Sequence, residues 1–221
     1  MAPRPLRTDV QPPHFEHTDV ADLHRLIEAH PPGVLVARGP QGLDANHLPF
    51  ELMAGEGPQP TLIGHVARAN PVWQELRDGD EALVIFRAEH AYVSPNRYPS
   101  KHEAHRQVPT WNYRVVHVHG RVRVRDDERF VRGVVARLTR RHEGRTGDPK
   151  PWKMGDATPE YLDDMLTRIV GIEVAIERIV GKRKLSQNKE ERDRLSAADA
   201  LEARGTTELA HAMRDAMPRG R

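Results

Sequence analysis

The chain of 221 residues carries a formal net charge of +2 with neutral histidine, from 34 basic and 32 acidic residues, and contains no cysteine. That length suits one domain of moderate size, or one with a small appendage, and the missing thiols exclude disulfides, thiolate catalysis, zinc ribbons and iron–sulfur clusters. With 38% hydrophobic residues the chain can form a core, but the basic excess is far from the dense stripe of a dedicated nucleic-acid binder, and no stretch approaches the roughly 20 apolar residues of a membrane span.

The first residues, MAPRPLRTDVQPPHF, are proline-rich and lack the apolar core of a signal peptide, so the expectation is an extended start to a cytoplasmic protein. Thr18 or Asp19 then caps a helix whose stripe is Val20, Leu23, Leu26 and Ile27, ended by Pro31 and Pro32. GVLVAR reads as a strand, GPQG as a turn, and LDANHLPFEL as a second strand with His47 near its middle. After the loop AGEGPQP comes the strand TLIGHV. ARANPVWQEL then leads into a short helix, with Asn70 as N-cap and Pro71 at the first position. EALVIFRA and HAYVS read as two strands with a turn at RAEH. RYPSKHEAHRQVPTWNY, with no sustained period, reads as a long connection, and WNYRVVHVHGRVRVR alternates as one long strand. Asp126 opens a helix with Phe130, Val134, Val135 and Leu138 on one side, and a capped helix starts near Thr158–Pro159. GIEVAIERIVGKRKL reads as a strand with a glycine break, and the tail from Asn188 as helix, RGTT turn and helix. Six or seven mostly sequential strands with helices between and after them predict a mainly β, α+β protein built as an antiparallel barrel.

Few of the motifs point to chemistry of their own. His102 and His105, or His117 and His119, have spacings that can aim two imidazoles one way, but HEAH is a residue short of the helical H-E-x-x-H metal pattern, so no metal is expected. Ser94, Ser100 and Ser186 occupy no G-x-S-x-G turn, and no phosphate loop or Rossmann glycine run is present. GHVARANPVW is more informative. It sets His65 on a strand and Arg68 just before a helix N-terminus capped at Asn70, the ingredients of a phosphate site. The same residues also fit a solvated arginine beside an ordinary cap. The C-terminal helix–turn–helix pattern offers Glu208, His211, Arg214 and Asp215 on its second helix, a poor set for docking on phosphates.

Taken together, GVLVAR, GLDANHLPFEL, GHVARANPVW, AYVSPNRYPSK, VPTWNY and IVGIEVAIERIVGKRKLSQN, followed by DR, resemble the PaiB-like proteins, the FMN-binding negative transcriptional regulators, in the right order over roughly residues 14–194. The resemblance implies an FMN-binding split β-barrel with C-terminal helices, here residues 1–187 for the barrel and 188–221 for the helical extension. It also implies a homodimer with two FMN sites along the subunit interface. It assigns His65, Arg68 and Asn70 to the phosphate and ribityl end, with Ser94 and Lys101 as supplementary contacts. Trp111, Asn112 and Tyr113 flank the ring or the dimer interface, and Lys184, Ser186, Gln187 and Asn188 approach from the partner subunit or close the pocket. Arg97 and Arg183 depart from the aromatic residues expected of the family at those places, which bears on stacking at the pocket.

Flavin carries the redox chemistry itself, so no catalytic acid or base need appear as a motif; His47 and His117 are candidates for proton transfer. The main reading is a flavoprotein, either an FMN-dependent oxidoreductase using NAD(P)H or a small-molecule substrate, or a flavin sensor. The alternatives are a DNA-binding negative regulator without enzymatic activity and a heme-binding or heme-degrading split-barrel protein.

Overall fold

A computed structural model describes residues 12–55, 57 and 59–216. The expected extended start lies outside these residues up to position 11, as does part of the AGEGPQP loop. A 3-10 turn, Pro13–Phe15, leads into β1 (Glu16–His17), α1 (Val20–Ala29), β2 (Pro32–Gly39), β3 (Gly42–Pro49), β4 (Glu51–Met53), β5 (Thr61–Ala67) and α2 (Val72–Glu75). There follow β6 (Glu81–Val93), a 3-10 turn Pro95–Arg97, α3 (Ser100–Ala104), β7 (Thr110–Arg125), α4 (Glu128–Glu143), α5 (Pro159–Thr167), β8 (Ile169–Lys184), α6 (Glu191–Glu202) and α7 (Thr207–Arg214). The strands form one antiparallel sheet in the order β3-β2-β6-β7-β8-β5-β4, with β1 paired to β8.

Eight strands take part, against the six or seven expected. One reason is that the second strand breaks at Phe50 into β3 and β4, because Phe50 turns its ring into the core, 1% exposed, and its amide bonds to Pro31 O. The other is β1, whose two residues pair with Lys182 and Gly181 and which had no local signal. Conversely, β6 is one strand of 13 residues, not two. The turn expected at Arg87–His90 is absent: Ala88 is buried and Glu89 ion-pairs with Arg114 of β7, so the charges that looked like a turn are matched across strands. The connection after β6 also holds more order than expected, since the five-residue α3 is too short to show a period.

The capping expectations fare well. Asp127, one residue after the expected start, accepts from Phe130 N at 2.9 Å and begins α4, which buries Val131, Val134 and Leu138. Thr158 caps α5, accepting from Tyr161 N at 3.4 Å. On α1, Leu23, Leu26 and Ile27 are buried as expected, while Val20 at the helix start is exposed. Fully burying one such side chain contributes roughly 1.5–3 kcal/mol.

The chain divides into two compact units. Unit 1 holds residues 12–19, 87–116 and 180–216; unit 2 holds residues 20–86 and 117–179. The long strands β6, β7 and β8 each run from one unit into the other. Unit 1 packs Tyr98, Leu185, Leu209, Met213 and the small side chains of Ala197 and Ala198 into its core. Unit 2 buries Leu35, Leu62, Phe86 and Ile172, and its Gly120 lets β7 and β8 approach closely: a Cβ there would lie 2.2 Å from Ala175 O.

Candidate functional site

In unit 2 the GHVARANP segment runs off the end of β5, which the ladder His65↔Gly171 and Ala67↔Ile169 holds against β8. The Arg68 amide continues that pairing, bonding to Arg168 O at 2.7 Å. Its guanidinium then donates to Thr167 O (2.6 Å) and, through both terminal nitrogens, to the Asp126 carboxylate (2.9 and 2.5 Å). The guanidinium lies over the Trp73 ring, 5.4 Å from its centre, while Trp73 Nε1 donates to Arg68 O at 2.9 Å. The hydrogen bond from Arg68 holds the Asp126 carboxyl below its ordinary pKa.

Asn70 does what its position predicts, its Oδ1 accepting from Val72 N at 2.9 Å, and its Nδ2 donates to Asn46 Oδ1 at 2.6 Å. The helix it leads, α2, is a single turn beginning at Val72, after Pro71. His65 is half-buried, and its Nδ1 is enclosed without a hydrogen-bond partner. Burial lowers the imidazole pKa, so the ring is neutral at physiological pH. Arg68 and Asp126 line a cavity of about 440 Å³ whose other charged residues, Asp127, Glu128 and Asp163, are all acidic. Local sequence could not disclose this setting, because Asp126 lies 58 positions from Arg68.

The other nine expected site residues all belong to unit 1. Ser94 caps the 3-10 turn, accepting from Asn96 N at 3.3 Å, and Lys101 Nζ donates to Asn96 Oδ1. Asn112 is wholly buried and donates to Ser186 Oγ (2.9 Å) and Met213 Sδ (3.3 Å). Ser186 itself is buried with a left-handed backbone, φ 65°. Lys184 Nζ reaches Thr110 Oγ1 at 2.6 Å, and Gln187 folds back to accept from Leu185 N at 2.7 Å. Tyr113 sits under Lys182 Nζ (5.6 Å), and Asn188 is exposed. Trp111 differs from Asn112 and Ser186 in offering a free face: 52% exposed, it stacks on His90 (5.8 Å, 29°) with Tyr92 edge-on. Structure thus joins Asn112 to Ser186 and gathers Trp111 with two aromatic neighbours. Of the proton-transfer candidates, His47 is exposed on β3 and His117 is half-buried on β7.

Sequence reasoning passed over Asp193 and Arg194 as site-forming residues. Asp193 is wholly buried and accepts from Ser100 N (3.0 Å), Ser100 Oγ (2.5 Å) and Gln107 Nε2 (3.3 Å). Arg194, 3% exposed, donates to Met213 O and, at 2.8 Å, to Arg214 O at the end of α7. These two residues tie the YPSK segment and the C-terminal helices into one body. The only sequence signal was the DR dipeptide itself, two charges in an otherwise solvent-like helix.

The open antiparallel sheet with its long strands is the split-barrel fold. The fold is shared with the FAD and heme binding protein from Mycobacterium smegmatis, with TM-score 0.54 and 20% identity over 77% of this chain and 73% of that one. It is shared also with the conserved hypothetical protein Rv2991 from Mycobacterium tuberculosis, with TM-score 0.55 and 14% identity over 79% and 89% of the two chains.

Residues 10–178 match the family described as "Putative FMN-binding domain", and the chain belongs to that family. Among its relatives are the Protease synthase and sporulation protein PAI 2 of Bacillus subtilis, 27% identical over 86% of this chain and 88% of the relative. Another is an uncharacterized protein of Aspergillus fumigatus, 31% identical over 86% and 89%. The PaiB-like resemblance therefore holds along most of the chain. No helix among the described residues is long and apolar enough to cross a membrane.

Proposed function

We propose that this protein binds FMN and that the β5–α2 turn is where it holds the phosphate end. The observation that carries the reading is the family match over residues 10–178, which includes the GHVARANP segment. The turn supplies suitable groups. His65 offers a buried Nδ1 with no partner, and Arg68 offers a part-exposed guanidinium held in one orientation by Asp126 and Trp73. The acidic lining beside Arg68 opposes a dianion, so Asp126 acts as the positioning residue for Arg68 and also moderates its charge.

Bound FMN would supply hydride or electron transfer; the chain supplies place and orientation. A neutral His65 can hydrogen-bond without adding charge, and Arg68 presents its remaining N–H to an anionic oxygen. Trp111, with its exposed ring, is the residue of unit 1 best suited to face a flat partner, whether a ring system or a second subunit. The homodimer, the use of NAD(P)H or a small-molecule substrate, and a cytoplasmic setting belong to the same reading. Action on DNA has weaker support, since the Arg214 guanidinium of α7 is engaged by Asp199 and Glu202.

Titration of apo-protein with FMN, followed by quenching of flavin fluorescence, tests the reading. Wild type is expected to bind about one FMN per subunit. Arg68→Ala should weaken binding by about tenfold or more, with Arg68→Lys intermediate. Micromolar FMN leaving the fluorescence of wild-type mixtures unquenched would overturn the proposal.

A further inference from the structure

A second, larger cavity, about 620 Å³, lies wholly within unit 2, between α4 and the strands β5, β7 and β8. Its charged lining sets the guanidiniums of Arg123, Arg125, Arg129 and Arg137 against only two carboxylates, Asp127 and Glu173. Arg123 and Arg125 are held: both pair with Glu173, at 3.3 and 3.0 Å, and Arg125 also meets Asp127 and covers the Phe130 ring at 4.3 Å. Arg137 acts on the buried carboxyl of Glu51, which Arg141 already pairs at 2.7 Å. Arg129 has no ion-pair partner among the described residues. The lining also includes an apolar cluster of Met53, Ile63, Phe130 and Val134.

Gly133 adds an independent observation. It stands mid-helix in α4, where glycine weakens a helix relative to alanine. Packing does not require it, since an added Cβ would meet nothing within 4 Å. Gly133 is itself exposed and borders this cavity, so its missing side chain leaves that stretch of the cavity rim uncovered. Glycine at this position is therefore a helix-weakening residue that no neighbour demands, bordering a cationic and apolar cavity.

We propose that this cavity binds a small organic anion with an aliphatic body. Its head group is received by Arg129 and Arg137, and its body lies against Met53, Ile63 and Val134. Guanidinium forks suit a carboxylate, and the volume falls within the roughly 300–1,000 Å³ usual for small-molecule sites. The site shares none of the His65–Arg68–Asn70 residues, so it stands apart from the flavin reading and does not depend on it.

The test uses the full chain and a fluorescent apolar anion, 8-anilinonaphthalene-1-sulfonate, displaced in turn by octanoate, octanol and inorganic phosphate. Octanoate should displace the probe, while octanol and phosphate, each lacking one half of the recognised chemistry, should need about tenfold higher concentrations or more. Gly133→Leu, which favours the helix while adding bulk at the cavity rim, and Arg129→Gln should each weaken octanoate by about tenfold, with circular dichroism retained and melting no lower than wild type. Saturating FMN should leave the displacement unaltered. Octanoate binding indifferent to both variants, octanol or phosphate matching octanoate, or FMN expelling the probe would each overturn the proposal. Because this readout needs no bound flavin, its failure is separable from failure of the FMN titration.

Discussion

Unit 1 encloses a network of polar side chains, whereas unit 2 displays a ladder of charges along its strands. In unit 1 the Asp193 carboxylate and the Asn112 amide are fully buried, and each is met by named donors or acceptors. In unit 2 the outward side chains of β7 form a ladder instead, Arg121 to Glu81 and Glu177, Arg123 and Arg125 to Glu173, most of them well exposed. A buried polar group must be satisfied or the fold loses its desolvation cost. An exposed pair gains little, because water and salt screen it. Equal numbers of charges can therefore carry very unequal weight.

The sharpest way to break this comparison is Asp193→Ala, which leaves the Ser100 amide and hydroxyl without their shared acceptor. Urea unfolding should show a loss of about 3 kcal/mol, and the loss should release the C-terminal helices to limited proteolysis first. An effect below about 1 kcal/mol would show that the enclosed network matters no more than the surface ladder.

A middle-sized effect concerns two glutamates of opposite sign. Burial raises Glu89, but hydrogen bonds with Glu208 and from Arg114 outweigh it and bring its pKa down to about 2, while the same contact with Glu89 raises Glu208. In the folded chain the Glu89 carboxyl thus holds a proton less readily than in the unfolded one, and Glu208 holds one more readily. The stability that the Glu89 shift gives is present above the ordinary value of 4.5 and is lost as pH falls toward 2. Glu51 in unit 2 behaves inversely: burial, only partly opposed by Arg141 and Arg137, raises its pKa, so stability is gained as pH falls through the raised value. Glu89→Gln should flatten the acid limb of a stability–pH curve and Glu51→Gln should steepen it. Limbs that move the same way would refute the assignment.

Least affected should be Arg123→Gln. Its side chain is 59% exposed, and Arg125 keeps Glu173 paired, so the melting curve should change by no more than about 0.5 kcal/mol. A larger loss would mean that the ladder acts cooperatively.

Sequence disclosed the parts of this molecule that are locally periodic. β7 alternates, α4 and α5 announce their caps, and α6–turn–α7 reads directly from its residues, whereas the period of β8 is ambiguous. It misled where a local signal had a distant explanation: Arg87–His90 resembles a turn until Arg114 stands beside Glu89. The candidate site divides the same way. His65, Arg68 and Asn70 were legible by residue type and order, but not the Asp126 carboxylate that engages Arg68. Asp193 was missed because its partners, Ser100 and Gln107, lie 93 and 86 positions away.

The interleaving of the two units also sets an order of events during synthesis. Unit 2 lacks β8 until residue 179 has been made, and unit 1 cannot close until the stretch beyond residue 180 has left the ribosome. At about 5–20 residues per second, β7 therefore waits for seconds with one of its long edges unpaired. An uncovered edge invites pairing with other nascent chains. The row of arginines along β7, at positions 121, 123 and 125, places like charges on that edge during the wait, so two nascent copies repel each other before either can fold.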